Sequence, residues 1–164
     1  MHMSFNASEV FEMAIEAERS GAKFYRKAAD NTKDEGTRKT LLKFAVMEDE
    51  HGLIFKAMQK EFESKEESQT IFDPDGVAAG YIQAIADAKS WEGKVGPDQE
   101  LSGSESLEEI IAIALNAEKE AVGFYAGVKE LVANIEDKGK IEAIIREEMS
   151  HVAMLSNMLN DIRG

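Results

Sequence analysis

The chain has 164 residues, with 32 Asp and Glu against 19 Lys and Arg and a formal net charge of −13. Such a charge disfavours nucleic acid and anionic membrane surfaces, whose phosphates are bound by neutralising them with Lys and Arg. The absence of Cys excludes disulfides, iron–sulfur clusters and thiol chemistry within the chain.

The first helix is expected from about Ser8 to Asp30, with Asn6 and Glu9 at capping-box spacing. Its apolar stripe runs through Phe11, Ala14, Ile15, Ala22, Tyr25 and Ala29, and Glu18 falls on that stripe. The second is expected from about Asp34 to Ser64, behind Thr32 and Glu35 at the same capping spacing. Leu41, Phe44, Phe55, Met58 and Phe62 form its stripe, and Glu48 and His51 fall on it. A crossover follows, from about residue 65 to 106. Asp73-Pro74 reads as a helix start, with Asp as N-cap and Pro at the first helical position. A short helix to about Trp91 is expected there, with Trp91 as a packing anchor. Gly93, Gly96-Pro97 and Ser102-Gly103-Ser104 mark the rest as loop.

The third long helix is expected from about Leu107 to Asn134, behind Ser106 and Glu109 in capping-box spacing. Its stripe of Leu107, Ile111, Ala114, Val122, Tyr125 and Val128 contains Glu118. The fourth runs from about Glu136 to Ile162 after Asn134, and its stripe of Ile141, Ile144, Leu155, Met158 and Ile162 contains Glu148 and His151. The connections within each helix pair are a few residues long, which makes the members antiparallel neighbours. The expected fold is therefore all-α. It is a single domain over 1–164: an antiparallel four-helix bundle with hairpins at about 8–64 and 107–162 and a crossover carrying a short helix.

Shifting the chain by one hundred residues superposes the two hairpins. Ala14-Ile15-Glu16-Ala17-Glu18-Arg19 meets Ala114-Leu115-Asn116-Ala117-Glu118-Lys119. Phe24-Tyr25 meets Phe124-Tyr125, and Glu48 and His51 meet Glu148 and His151.

Residues three and four apart share a helix face. Each helix thus turns one Glu, or a Glu and a His one turn apart, into its own apolar face. A buried carboxylate must be paired or neutralised. Four from four helices, with no Arg or Lys on the stripes, call for divalent cations. Oxygen donors with imidazole suit iron, manganese or zinc better than calcium or magnesium. A single Glu-x-x-His is weak evidence, but chance pairing at both interior His residues is expected only about 2% of the time. The eight Met residues read as core filler, and Asp49, Glu50 and Glu147 as facing solvent or a neighbouring helix, with a role in ion entry as the alternative. His2 takes no role.

With Glu18, Glu118 and the two Glu-x-x-His pairs placed on four helices joined by a long crossover, the chain resembles the rubrerythrin branch of the ferritin-like superfamily. The resemblance covers both hairpins. It implies a ferritin-like bundle holding two metal ions, iron first, with Glu48 and Glu148 bridging. Glu18 and His51 would complete one metal, and Glu118 and His151 the other. Tyr25 and Tyr125 would hydrogen-bond ligand carboxylates. The implied activity is reduction of peroxide or dioxygen. Ferroxidase or iron-handling chemistry is an alternative, and a non-catalytic metal-binding bundle another. Two departures stand out. Rubrerythrins carry a four-cysteine iron domain that feeds electrons in, so here the donor must be another protein. They also carry a second Glu on the third helix, where this chain has Ala121. The N-terminus lacks the basic and apolar regions of a signal peptide, and no apolar stretch reaches the roughly 20 residues of a membrane span. A cytoplasmic homodimer is the expected setting.

Overall fold

The computed structural model describes residues 7–64, 73–88 and 100–164. Five helices follow in order: α1 (Ala7–Asp30), α2 (Glu35–Ser64), α3 (Val77–Ala88), α4 (Leu107–Leu131) and α5 (Ile135–Arg163). The described residues contain no strand. None of their helices is long and apolar enough to cross a membrane.

Local chemistry sets most of the helix ends. At the α1–α2 turn, the amide of Asn31 bonds the carbonyls of Lys27 and Ala28, and the Thr32 hydroxyl donates back to Ala28 O at 2.7 Å. Thr32 therefore closes α1 instead of opening α2. The α2 cap is Asp34, whose carboxylate accepts from Thr37 N at 2.7 Å while its carbonyl accepts from Arg38 N. That bond holds the Asp34 carboxyl below its ordinary pKa. Of the expected Asn6–Glu9 box, Glu9 stands in the first turn of α1, and Asn6 lies outside the described residues. At α4, Ser106 and Glu109 form the complete reciprocal capping box. This helix stops at Leu131, three residues before the expected end, because Val132 turns extended and Asn134 is recruited to cap α5.

The crossover helix also begins later than expected. Asp73-Pro74-Asp75-Gly76 folds as a turn, closed by Gly76 N on Asp73 O at 3.2 Å. Pro at the second position and Gly at the fourth suit such a turn. Gly76 has φ 70°, a conformation that a Cβ would strain. The helix therefore starts at Val77, yet Asp73 still serves it: its carboxylate accepts from Ala78 N and Ala79 N. Trp91 and the Gly93 and Gly96-Pro97 loop lie outside the described residues.

α1 packs against α2, and α4 against α5; α4 also meets α1 and α3, and α5 meets α2. α3 rests on α4 where Gly127 leaves room, since a Cβ there would come within 2.7 Å of the Tyr81 ring and 2.8 Å of Ile82. The Tyr81 hydroxyl adds a bond to Gly123 O at 2.7 Å.

The core falls into two apolar halves. One joins Phe11, Ala14, Phe55 and Met58 to Tyr125, Val128, Ile141 and Ile144. The other joins Tyr25, Ala29, Leu41 and Phe44 to Ile111, Ala114, Leu155 and Leu159. Each half takes opposite ends of the paired helices, as a hundred-residue repeat related by a pseudo-twofold axis requires. Fully burying one such side chain contributes about 1.5–3 kcal/mol. The acidic and imidazole positions lie in sequence between the two halves.

Candidate metal centre

Glu18 comes from the middle of α1, Glu48 and His51 from α2, Glu118 from α4, and Glu148 and His151 from α5. Glu18, Glu148, His51 and His151 are each 1% exposed, Glu118 is 4% and Glu48 6%. No other polar or charged residue among those described is buried to this degree. Ionic groups are almost never buried so fully without partners.

The six residues form two overlapping quartets. Glu18, Glu48, His51 and Glu148 offer one donor atom each, all within 4.8 Å of one another; so do Glu48, Glu118, Glu148 and His151. Glu48 and Glu148 belong to both. With metal–oxygen and metal–nitrogen bonds of about 2.0–2.2 Å, donors on one ion sit up to about 4.3 Å apart. The widest separation in each quartet exceeds that span by at most about half an ångström.

The inward-facing atoms lack hydrogen bonds. Glu18 Oε2, Glu48 Oε1, both Glu148 oxygens and the Nδ1 atoms of both histidines are buried without a hydrogen-bond partner. His51 Nδ1 lies 2.7 Å from Glu148 Oε1 and 3.5 Å from Glu18 Oε2, but without hydrogen-bond alignment. His151 Nδ1 lies 3.2 Å from Glu148 Oε2 and 3.4 Å from Glu118 Oε1. Orphaned buried polar atoms are costly, and here oxygen and imidazole donors converge on common points. The cluster fits the binding of two metal ions.

Without metal, protons must do part of that work. Burial, then repulsion from Glu18, Glu148 and Glu118, pushes the Glu48 carboxyl well above its ordinary value. Burial likewise pushes Glu118 up to about 8, with His151 opposing. Burial would lower both imidazoles, but contacts with carboxylates outweigh it. Glu148 and Glu18 raise His51 to about 11, and Glu118 and Glu148 raise His151 to about 9. Burial works on Glu148 too, but Glu118, His151 and His51 hold it below the ordinary range.

The tyrosines bond crosswise. Tyr25 on α1 donates to Glu118 on α4, and Tyr125 on α4 donates to Glu18 on α1. Each therefore bonds a buried carboxylate of the opposite hairpin. Burial first, then the nearby carboxylates, raises both phenols well above their usual pKa, which keeps the proton on oxygen. Tyr25 stands on Phe44 and Tyr125 on Phe55, with ring centroids 5.3 and 4.9 Å apart.

Three contributors escape a reading by helical stripe. Gly21 is one: a Cβ there would sit 2.7 Å from Glu48 Oε2. The interruption of a strong helical pattern by Gly was the available signal, because such a Gly usually has a packing or functional reason. Glu147 is the second. It was expected at solvent or a neighbouring helix, and it reaches His51 Nε2 at 2.7 Å. Met47 is the third, with Sδ 3.4 Å from His151 Nε2. Asp49, by contrast, pairs with Arg26 at the surface.

A partly open cleft of about 30 Å³ lies between α1 and α4. Ala17, Gly21, Ala114, Ala117 and Ala121 line it, with Glu48, Glu118, Tyr25 and Tyr125 among its walls. Gly21→Ala should weaken metal binding several-fold by crowding Glu48. The metal-free protein should keep its melting temperature or gain slightly, since Ala is about 1 kcal/mol better than Gly in a helix. Calorimetric metal titration beside thermal melting checks this, and unchanged affinity would remove Gly21 from the site.

The rubrerythrin family model matches residues 9–95, the first hairpin and most of the crossover. A crystal structure from Thermotoga maritima, of a chain assigned as a ferritin-like diiron-carboxylate protein, superposes with a TM-score of 0.71. It is 23% identical, and the match covers 98% of each chain. No curated protein sequence matches.

Proposed function

The chain belongs to the rubrerythrin family, and from that premise we propose that it holds two iron ions and reduces hydrogen peroxide or dioxygen between them. Glu18 and His51 would complete one iron, Glu118 and His151 the other, with Glu48 and Glu148 shared. The observation that carries the reading is the pair of quartets sharing those two carboxylates. A cleft of about 30 Å³ beside them suits a ligand of two oxygen atoms.

A bound pair of ferrous ions would supply the two electrons that peroxide reduction requires. The protein's part is positioning and exclusion. The two apolar halves keep bulk water from the donors, and the charges inside act more strongly for it. Tyr25 Oη and Tyr125 Oη hold their protons against Glu118 and Glu18, fixing those carboxylates. These residues hold no Cys to build a four-cysteine iron site, and on this reading the electrons for turnover are supplied by a donor outside them.

Stopped-flow spectroscopy tests the proposal. Protein loaded anaerobically with two ferrous ions per chain should be oxidised by one equivalent of hydrogen peroxide within seconds. An external reductant should restore the ferrous state. No reaction with peroxide or dioxygen, despite two bound ions, would leave a metal-binding bundle without catalysis.

A further inference from the structure

The hundred-residue repeat maps every candidate ligand onto another, but it maps Met47 onto Glu147. Each directly precedes the ligand Glu of its helix, and each lies behind the imidazole of the opposite hairpin. Glu147 Oε2 is 2.7 Å from His51 Nε2, whereas His151 Nε2 meets Met47 Sδ at 3.4 Å. The tyrosine bonds, by contrast, come as a symmetrical pair. So do the contacts of each imidazole with its terminal Glu, at 3.5 and 3.4 Å. The Phe44 ring, centred 4.4 Å from that of His151, offers no strong acceptor to compensate.

The two histidines therefore present different donors. A carboxylate behind Nε2 keeps the hydrogen on that nitrogen, so that Nδ1, which faces the other candidate ligands, is the atom that gives up its proton to a metal. It also fixes the ring and makes it a stronger donor. A thioether is a weak acceptor, so His151 is held less firmly in that tautomer and is less basic toward a metal.

We propose that Glu147 is a positioning residue that makes the two metal subsites unequal, so that the subsite of Glu18 and His51 binds its ion more tightly and fills first. The inference rests on the two-metal reading above. Partners of this kind change metal affinity by about 10–100-fold. Glu147 is 49% exposed, and competition from water places the expected effect near the lower end.

Anaerobic titration of the metal-free protein with cobalt(II), followed by visible absorption and calorimetry, tests it. The parent protein should bind two ions in steps about tenfold apart in affinity. Glu147→Gln should weaken the tighter step and leave the weaker one in place, so that the steps merge. Met47→Glu should strengthen the weaker step. Glu50→Gln removes an equal charge from an exposed position on α2 and should leave the separation unchanged. Circular dichroism of the metal-free variants establishes that each is folded. Two equal steps in the parent overturn the inequality alone, as does Glu147→Gln shifting both steps equally or neither. No bound cobalt in the parent overturns the two-metal reading and this inference together.

Discussion

Glu148→Gln should reduce the metal bound after anaerobic loading and desalting from two ions per chain to one or fewer, while Glu18→Gln should leave one. Glu148 is in both quartets and Glu18 in only one. The isosteric amide preserves volume but removes the charge. In the metal-free protein, Glu148 touches both imidazoles, His51 at 2.7 Å and His151 at 3.2 Å. Its loss should therefore also lower metal-free stability, by about 1–3 kcal/mol for buried groups left without a charged partner. Elemental analysis by mass spectrometry reads the stoichiometry, and thermal melting reads the stability. Two ions retained by Glu148→Gln, or equal losses in the two variants, would rule out the shared-carboxylate arrangement.

Metal removal should destabilise the protein more as pH rises. His51 and His151 have folded-state values of about 11 and about 9 against an ordinary 6.5. Groups raised in this way contribute fully below the unfolded value, and their contribution is lost as pH climbs through the folded one. Glu118, raised from 4.5 to about 8, acts in the same direction: deprotonating it puts charge into a dry core. Glu48, also raised, adds to this. Glu148 is depressed, so its contribution is present above its unfolded value and does not change between pH 6 and 9. The metal-free melting temperature should therefore fall from pH 6 to 9. Bound metal takes over the role of these protons, and its binding releases them, so its affinity should grow over the same interval. Free metal at a thousandfold excess over Kd stabilises by about 4 kcal/mol, or roughly 10 °C for a chain of this size. Paired melting curves across pH check this. A gap between loaded and metal-free protein that narrows with pH would contradict the assignment.

How legible the site was in the sequence depends on the kind of relation involved. The six Glu and His positions break an apolar periodicity at matching places, and a violation of a local pattern is visible without any structure. Gly21 breaks a pattern too, but a missing side chain does not say what fills its place; here it is the Glu48 carboxylate. Thr32 and Asp34 both suit a helix cap, and the choice fell on Asp34 because the Thr32 hydroxyl turns back to Ala28. Pro74 belongs to a turn because Gly76, with positive φ, lies between it and the helix. Local preferences admitted both outcomes, and the path of the chain selected one.

By itself the sequence determined four amphipathic helices, their pairing into two similar hairpins, and a Glu or Glu-x-x-His at the centre of each apolar stripe. These follow from spacing along one helix, where 3.6 residues per turn fix which side chains share a face. Only the tertiary structure decided that Tyr25 serves Glu118 and Tyr125 serves Glu18, that Glu48 and Glu148 stand in both quartets, and that α3 lies on α4 at Gly127. It also decided that His51 meets a carboxylate and His151 a thioether. These relations run between helices, and they are set by how closely and at what rotation the helices pack. Two hairpins that carry the same Glu, His and Tyr positions in sequence thus build a centre whose two halves differ.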